Sequence, residues 1–250
     1  MKEKLYEYIL MLGDNAMILG HRLSELCGHG PNLETDIALT NHSLDLFGQV
    51  RSYFQYAAEL KGGEATEDTV AFLREEREYR NVLLVEQANT DFAYVIGRQF
   101  LFDSFHLPLL EQLCESKDER IQAIAQKSIK EVRYHHRFSS EWVRRLGGGT
   151  SESHDRMQAA LNHLYPFTNE LFKETEIETE MRDLGIGADL QLVKVAFKNA
   201  VENVCNEVGL DLPELMREYD KGKHGIHSEH MGYMLSQLQY MQRAYPNMQW

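Results

Sequence analysis

Residues that break helices are scarce: 5 prolines and 17 glycines in 250 residues, most of them bunched between long uninterrupted stretches. That leaves few places for the tight turns of a many-stranded sheet, and no alternating strand segment of useful length is present. Cysteine is scarcer still. Cys27, Cys114 and Cys205 are odd in number and far apart, with no CxxC pair, which excludes a disulfide framework and reads as reduced thiols in a cytoplasmic protein. Positive charge is in deficit, 26 Lys and Arg against 39 Asp and Glu for a net −13, so neither nucleic acid nor an anionic membrane is an expected partner. No apolar run nears the ~20 residues that a membrane helix needs. The stretch around Ile9 to Leu12 is a single helical turn, and the N-terminus lacks the apolar core of an export signal.

What remains is ordinary globular composition, 43% hydrophobic and 26% charged, in a chain long enough for a sizeable core. Its pattern is helical. Leu5, Tyr8, Ile9, Leu12, Ala16, Leu19, Leu23 and Leu26 follow i, i+3, i+4 spacing over residues 3–26, until Gly28 to Pro31 break it. The spacing predicts a second helix over 33–60, closed by Gly62 and Gly63. It predicts a third from Thr66, a capping residue followed by Glu67 and Asp68, to about Val85. A fourth runs to about Cys114. A fifth starts at a Ser116/Glu119 capping box and ends at Gly147 to Gly149, a helix terminus and not a phosphate loop. Further helices are expected from Ser153 to near Pro166, over 189–208 on a stripe of Leu192, Val195, Ala196, Ala200, Val204 and Val208, after Asp211, and over 228–244. The expectation is one all-α domain over 1–250, a ferritin-like long-helix bundle with additional C-terminal helices.

Polar residues inside apolar stripes carry the functional information, because a buried carboxylate must find a proton, a cation or hydrogen-bond donors. The fourth helix reads Ile96, Gln99, Asp103, His106, Leu110 and Leu113; the fifth reads Glu131, Tyr134, His135 and Phe138, leading to Trp142. Phe72, Glu76, Tyr79 and Leu83 share a face of the expected third helix, and Ile37, Asn41, Asp45 and Gly48 form a line on the second, beside Leu44. A carboxylate-bridged di-metal bundle uses this layout, with one Glu from each of two helices and Glu-x-x-His from each of the other two. No Glu here is followed by His at three residues. Tyr79 and Tyr134 stand at that spacing after Glu76 and Glu131, and a neutral phenol is a poor ligand near pH 7. Asp103-x-x-His106 is a shorter imitation, and His135 follows Glu131 by four. The expectation is a hydrogen-bonded buried network at degenerate di-iron positions, with no metal held.

Several blocks carry a more specific signal: DIALTNHSLDLFGQ (36–49), REYRNVLLVEQ (77–87), DFA (91–93), WVRRLGGGTSESH (142–154) and HSEHMGYML (227–235). Together they resemble the PaaC family, the structural, non-catalytic subunits of phenylacetyl-CoA epoxidase complexes, over nearly the whole chain. The resemblance implies a ferritin-like protein with no catalytic residue and no cofactor of its own. Its expected partners are a homologous catalytic subunit that carries the di-iron centre and other subunits of a monooxygenase complex, with a homodimer possible when alone. The chemistry implied is epoxidation of the ring of phenylacetyl-CoA in aerobic phenylacetate catabolism. The enzyme alternative is a di-iron oxygenase or metal-binding protein active by itself through Asp103, His106, Glu131 and His135; a third reading is a self-associating storage protein.

The densest histidine cluster, His224, His227, Glu229 and His230, lies at the start of the last expected helix beside Lys221 and Lys223. It reads as a helix start capped by Ser228, or as a contact for a partner or a phosphate, with His227, Glu229 and His230 as the contact residues. Met231, Met234, Met241 and Met248, with Tyr233, Tyr240 and Tyr245, suit either a core or an interface. The acidic run from Glu174 to Glu180 reads as a solvated face.

Overall fold

The computed structural model describes residues 1–215, 219–246 and 248. They contain ten α-helices and no strand: α1 (Lys2–Ser24), α2 (Leu33–Lys61), α3 (Glu67–Phe72), α4 (Phe92–Leu113), α5 (Glu119–Gly147), α6 (Ser151–Leu164), α7 (Glu176–Asp183), α8 (Leu190–Glu207), α9 (Glu229–Leu238) and α10 (Tyr240–Ala244). The bundle is α1 against α2 and α4 against α5, joined through α2 and α5. Helix α4 is its axis; buried on nearly every side, it also touches α6 and α8.

Side-chain caps set the helix starts. Asn32 accepts the Thr35 N–H at 2.9 Å and Asp91 the Tyr94 N–H at 2.9 Å, each satisfying a donor that the first turn leaves unpaired. Thr66 and Thr69 cap each other to start α3. For α5 the cap is Asp118, which accepts from Arg120 N and Ile121 N, and not the Ser116/Glu119 pair; the Ser116 hydroxyl donates to the Ile186 carbonyl. Gly13 lets α1 and α2 close on each other, since a β-carbon there would sit 2.5 Å from the Phe54 ring.

The third expected helix is the main departure. It stops at Phe72, and residues 73–91 cross the bundle with only two 3₁₀ turns, Glu76–Glu78 and Leu83–Glu86. Val82, Leu83, Leu84 and Val85 are all buried, a consecutive run that one face of a helix cannot produce. Buried non-helical backbone must find partners elsewhere, and polar side chains supply them. Asp14 accepts from Arg80 N at 2.8 Å, Asn15 from Val82 N at 2.9 Å and Glu170 from Leu83 N at 2.7 Å, while Arg22 donates to the Glu86 carbonyl through Nε and Nη2.

Other registers shift by less. Helix α8 buries Leu190, Val193, Phe197, Val201, Val204 and Cys205 and leaves Leu192 and Val195 exposed. Helix α6 gives way to a 3₁₀ stretch, Tyr165–Phe172, at Pro166. Residues 211–215 are not helical, and the rest of the short helix expected after Asp211 falls on 216–218, outside the described residues. The last expected helix divides at Gln239, whose amide turns inward to the Arg74 carbonyl and the Tyr79 hydroxyl. The acidic run is only partly solvated: Glu178 is buried, capping α7 and pairing with Lys223. No helix of the described residues is long and apolar enough to cross a membrane.

Candidate functional site

A polar seam lies where α2, α4 and α5 meet. From α4, Asp103 is buried, its Oδ1 accepting from Gln99 Nε2 at 2.7 Å and its Oδ2 from the Ser139 hydroxyl of α5 at 2.8 Å. Burial pushes this carboxyl up to about 6, against the pull of nearby His135 and the two hydrogen bonds. One turn on, buried His106 is driven down to about 3 by burial and by His135. From α5, His135 donates through Nε2 to Asp45 Oδ2 of α2 at 2.9 Å. Glu131, one turn before it, is part-buried, and desolvation followed by the charge of Asp45 raises its carboxyl above the usual range.

Helix α2 brings in a residue that the sequence reading passed over. His42 is fully buried, its ring 4.1 Å from that of His135 and edge-on to Phe138, and burial takes it down to about 2. The apolar stripe of Leu39, Leu46, Val50 and Tyr53 passes through His42 and Gln49 at helical spacing, so the signal was present. The line chosen instead faces outward. Asn41 and Gly48 are exposed, as are Ile37 and Leu44, and only Asp45, at the rim, reaches the seam. Asn41 is therefore no part of it.

Two further expected members lie elsewhere. Glu76 is exposed on a 3₁₀ turn, and Tyr79, though buried, donates its hydroxyl to the Ala71 carbonyl with its ring 4.1 Å from the Arg74 guanidinium. The third helix that would have carried them into the bundle is not formed. Tyr134 is 42% exposed and meets the seam through ring contacts with His42 and His135. The structure thus brings together Asp45, Asp103, His106, Glu131 and His135, adds His42 and Gln99, and separates Asn41, Glu76 and Tyr79.

This donor set does not fit a di-iron pair. Helix α1 sends nothing, since its buried acid Asp14 is bound by Arg74. Both oxygens of Asp103 are held by neutral donors, and Asp45 is turned to His135. Among the described residues no group of three or more His, Cys, Asp and Glu side chains is placed to hold a metal ion. What the seam can do is hold three helices in register through hydrogen bonds, and keep His42 and His106 neutral.

The C-terminal histidine cluster is also rearranged. The side chain of His227 is completely buried, with Nδ1 2.6 Å from Glu86 Oε1 and Nε2 3.2 Å from the Tyr79 carbonyl. Both nitrogens face acceptors, so the ring is a double donor and carries charge. Burial opposes that charge, but Glu86 and the Tyr79 carbonyl outweigh it and raise the imidazole above its ordinary range. Glu86 also accepts from Asn81 Nδ2 and from the N–H and hydroxyl of Ser228. His227 is thus an interior residue, not a surface contact. Ser228 spends its side chain on Glu86 instead of on a cap. Lys223 is committed to Glu178 and two carbonyls, so its ammonium is not available to a phosphate, whereas Lys221 is exposed. Glu229 is exposed and His230 part-buried; Met231 and Met234 belong to the core, whereas Tyr233, Tyr240, Met241, Tyr245 and Met248 are exposed.

With this geometry in place, comparison with known proteins is specific. The family model for phenylacetic acid catabolic proteins, the PaaA/PaaC family, matches residues 1–250. The chain is 47% identical over 247 residues, 99% of each sequence, to one of the subunits of the 1,2-phenylacetyl-CoA epoxidase of Escherichia coli (strain K12).

Proposed function

The chain belongs to the phenylacetic acid catabolic protein family, and from that membership we propose that it is the structural, non-catalytic subunit of a multicomponent di-iron oxygenase. The oxygenase epoxidises the ring of phenylacetyl-CoA in aerobic phenylacetate catabolism. The relative's name supports the substrate and the presence of other subunits. The observation that carries the non-catalytic role is the occupation of the seam: Asp103 held by Gln99 and Ser139, His135 by Asp45, and nothing contributed by α1. Such a bundle is a rigid body for a homologous subunit to dock on, and the di-iron centre belongs to that homologue. On this reading the chain is one ferritin-like domain, resident in the cytoplasm, that binds no cofactor of its own.

The test is made on the purified full-length chain, alone and with its catalytic homologue. Alone, with iron, a reductase, O₂ and phenylacetyl-CoA, it retains far less than one iron per chain and forms no epoxide; addition of the homologue restores turnover. A di-iron complement bound tightly by the chain alone, with product formed, would overturn the assignment.

A further inference from the structure

One face of the bundle sets unpaired cations beside exposed apolar side chains. In a chain of net charge −13, α5 carries seven cations against three carboxylates. Lys127, Lys130, Arg137 and Arg145 are all exposed, and none of them forms an ion pair among the described residues. Arg137 and Arg145 instead lie over the rings of Tyr134 and Trp142, at 5.7 and 5.3 Å. Helices α2 and α5 run antiparallel, pinned at one end by Tyr56 to Asp118 (2.7 Å) and further along by His135 to Asp45 (2.9 Å). This brings the outward line of α2 alongside the cations. Beside Asn41 it carries exposed apolar side chains: Leu33 is 70% exposed, Leu44 62% and Ile37 50%. Gly48, on the same side of α2, faces open space, with no neighbour within 4 Å of where a side chain would begin.

We propose that the joint outer face of α2 and α5 is the docking surface for a protein partner presenting an acidic, helical face. Resting on the function proposed above, that partner is the homologous catalytic subunit. Charge decides the occupant. A second copy of this chain meeting the face about a twofold axis centred on it would bring the cluster of Lys127, Lys130 and Arg137 up to its own copy, and like charges so juxtaposed repel. An acidic face pairs with them, and the exposed apolar side chains of α2 supply burial at the centre. The size is right as well. Two 29-residue helices side by side offer roughly 43 by 20 Å, close to the ~800 Å² per partner of a standard interface. The face also lies directly above Asp45 and Glu131, so a docked partner closes the open rim of the polar seam described above.

The experiment measures association of the full-length chain with the catalytic homologue at about 50 and 500 mM salt, a range over which exposed charges become screened. The variants are the triple reversal Lys127→Glu/Lys130→Glu/Arg137→Glu, the single Leu44→Asp, and a control reversal Lys194→Glu/Lys198→Glu on α8. The expected result is wild-type affinity that falls with salt, a loss of roughly tenfold or more for the triple reversal, mostly in on-rate, and for Leu44→Asp, and no change for the control. If either α2/α5 variant binds as tightly as wild type, or salt leaves the wild type unaffected, this face is not the interface. A wild-type homodimer that the triple reversal dissolves also overturns the proposal. If the wild-type chain does not bind the homologue at all, the failure lies in the function proposed above and removes the occupant with it.

Discussion

Replacing His227 by alanine is expected to be among the most damaging single changes in the protein. The side chains of His227 and Glu86 are both completely buried, and Glu86 is left with Asn81 and Ser228 as its donors when the imidazole goes. Breaking a buried pair by removing one partner costs about 3–5 kcal/mol, because the remaining charge is uncompensated. At this chain length each kcal/mol moves the midpoint by roughly 2–4 °C, so a fall of about 10 °C is expected. The pH dependence is the sharper test. The groups facing His227 are Glu86, the Tyr79 carbonyl and, further off, Asp14, and their net effect is a raised imidazole. Folding then favours the protonated ring, so its stabilisation is fully present below the ordinary value near 6.5 and is lost as pH rises through the raised one. Urea unfolding at pH 6 and pH 9 reads both: the gap between wild type and His227→Ala is wide at pH 6 and narrows at pH 9. A difference under about 1 kcal/mol at pH 6, or a gap that does not change with pH, would refute the reasoning.

Three other outcomes follow from the same geometry. His42 and His106 are neutral when folded and near 6.5 when unfolded, so stability falls as pH drops below 6.5, by ~1.4 kcal/mol per pH unit for each ring at first; a denaturation series on His42→Leu/His106→Leu has a visibly shallower acid limb. Asp14→Ala strands the buried Arg74 guanidinium and the Arg80 N–H and costs about 3–5 kcal/mol by chemical denaturation; a loss below about 1 kcal/mol would contradict the pairing. Glu76→Ala, at an exposed position, stays within about 0.5 kcal/mol of wild type, and a larger loss would mean that this side chain has an interior partner after all.

The long helices were legible because α1, α2, α4 and α5 keep apolar residues at helical spacing; their caps, Asn32, Asp91 and Asp118, were not what marked them. The segment after α3 was not. Its four consecutive apolar residues, Val82 to Val85, do not by themselves separate a helix buried all round from a buried non-helical segment, and the side chains that accept from its backbone, Asp14, Asn15 and Glu170, are far away in sequence. The same distance hid the partner of His227, which lies 141 residues back at Glu86. On α2 the difficulty was of another kind. A polar residue in an apolar line suggests the core-facing side, whereas Ile37 and Leu44 are the residues outside and His42 is the one within. Hydrophobicity marks the buried side of a helix only where nothing else covers its other side. The Asp103 and His106 positions on α4 were readable because that helix is buried on nearly all sides and register hardly matters.

The bond between Glu86 and residues 227 and 228 also bears on the order in which the molecule is made. A ribosome releases Glu86 long before His227, and in that interval the carboxylate has neither its imidazole nor the Ser228 donors and must remain in water. The crossover that carries it therefore lacks its full set of partners until residue 228 has been made, even though α1, α2 and α4 have already emerged. Closure waits for residues 227 and 228 to emerge, which makes them a part of the interior that arrives well after the helices around it.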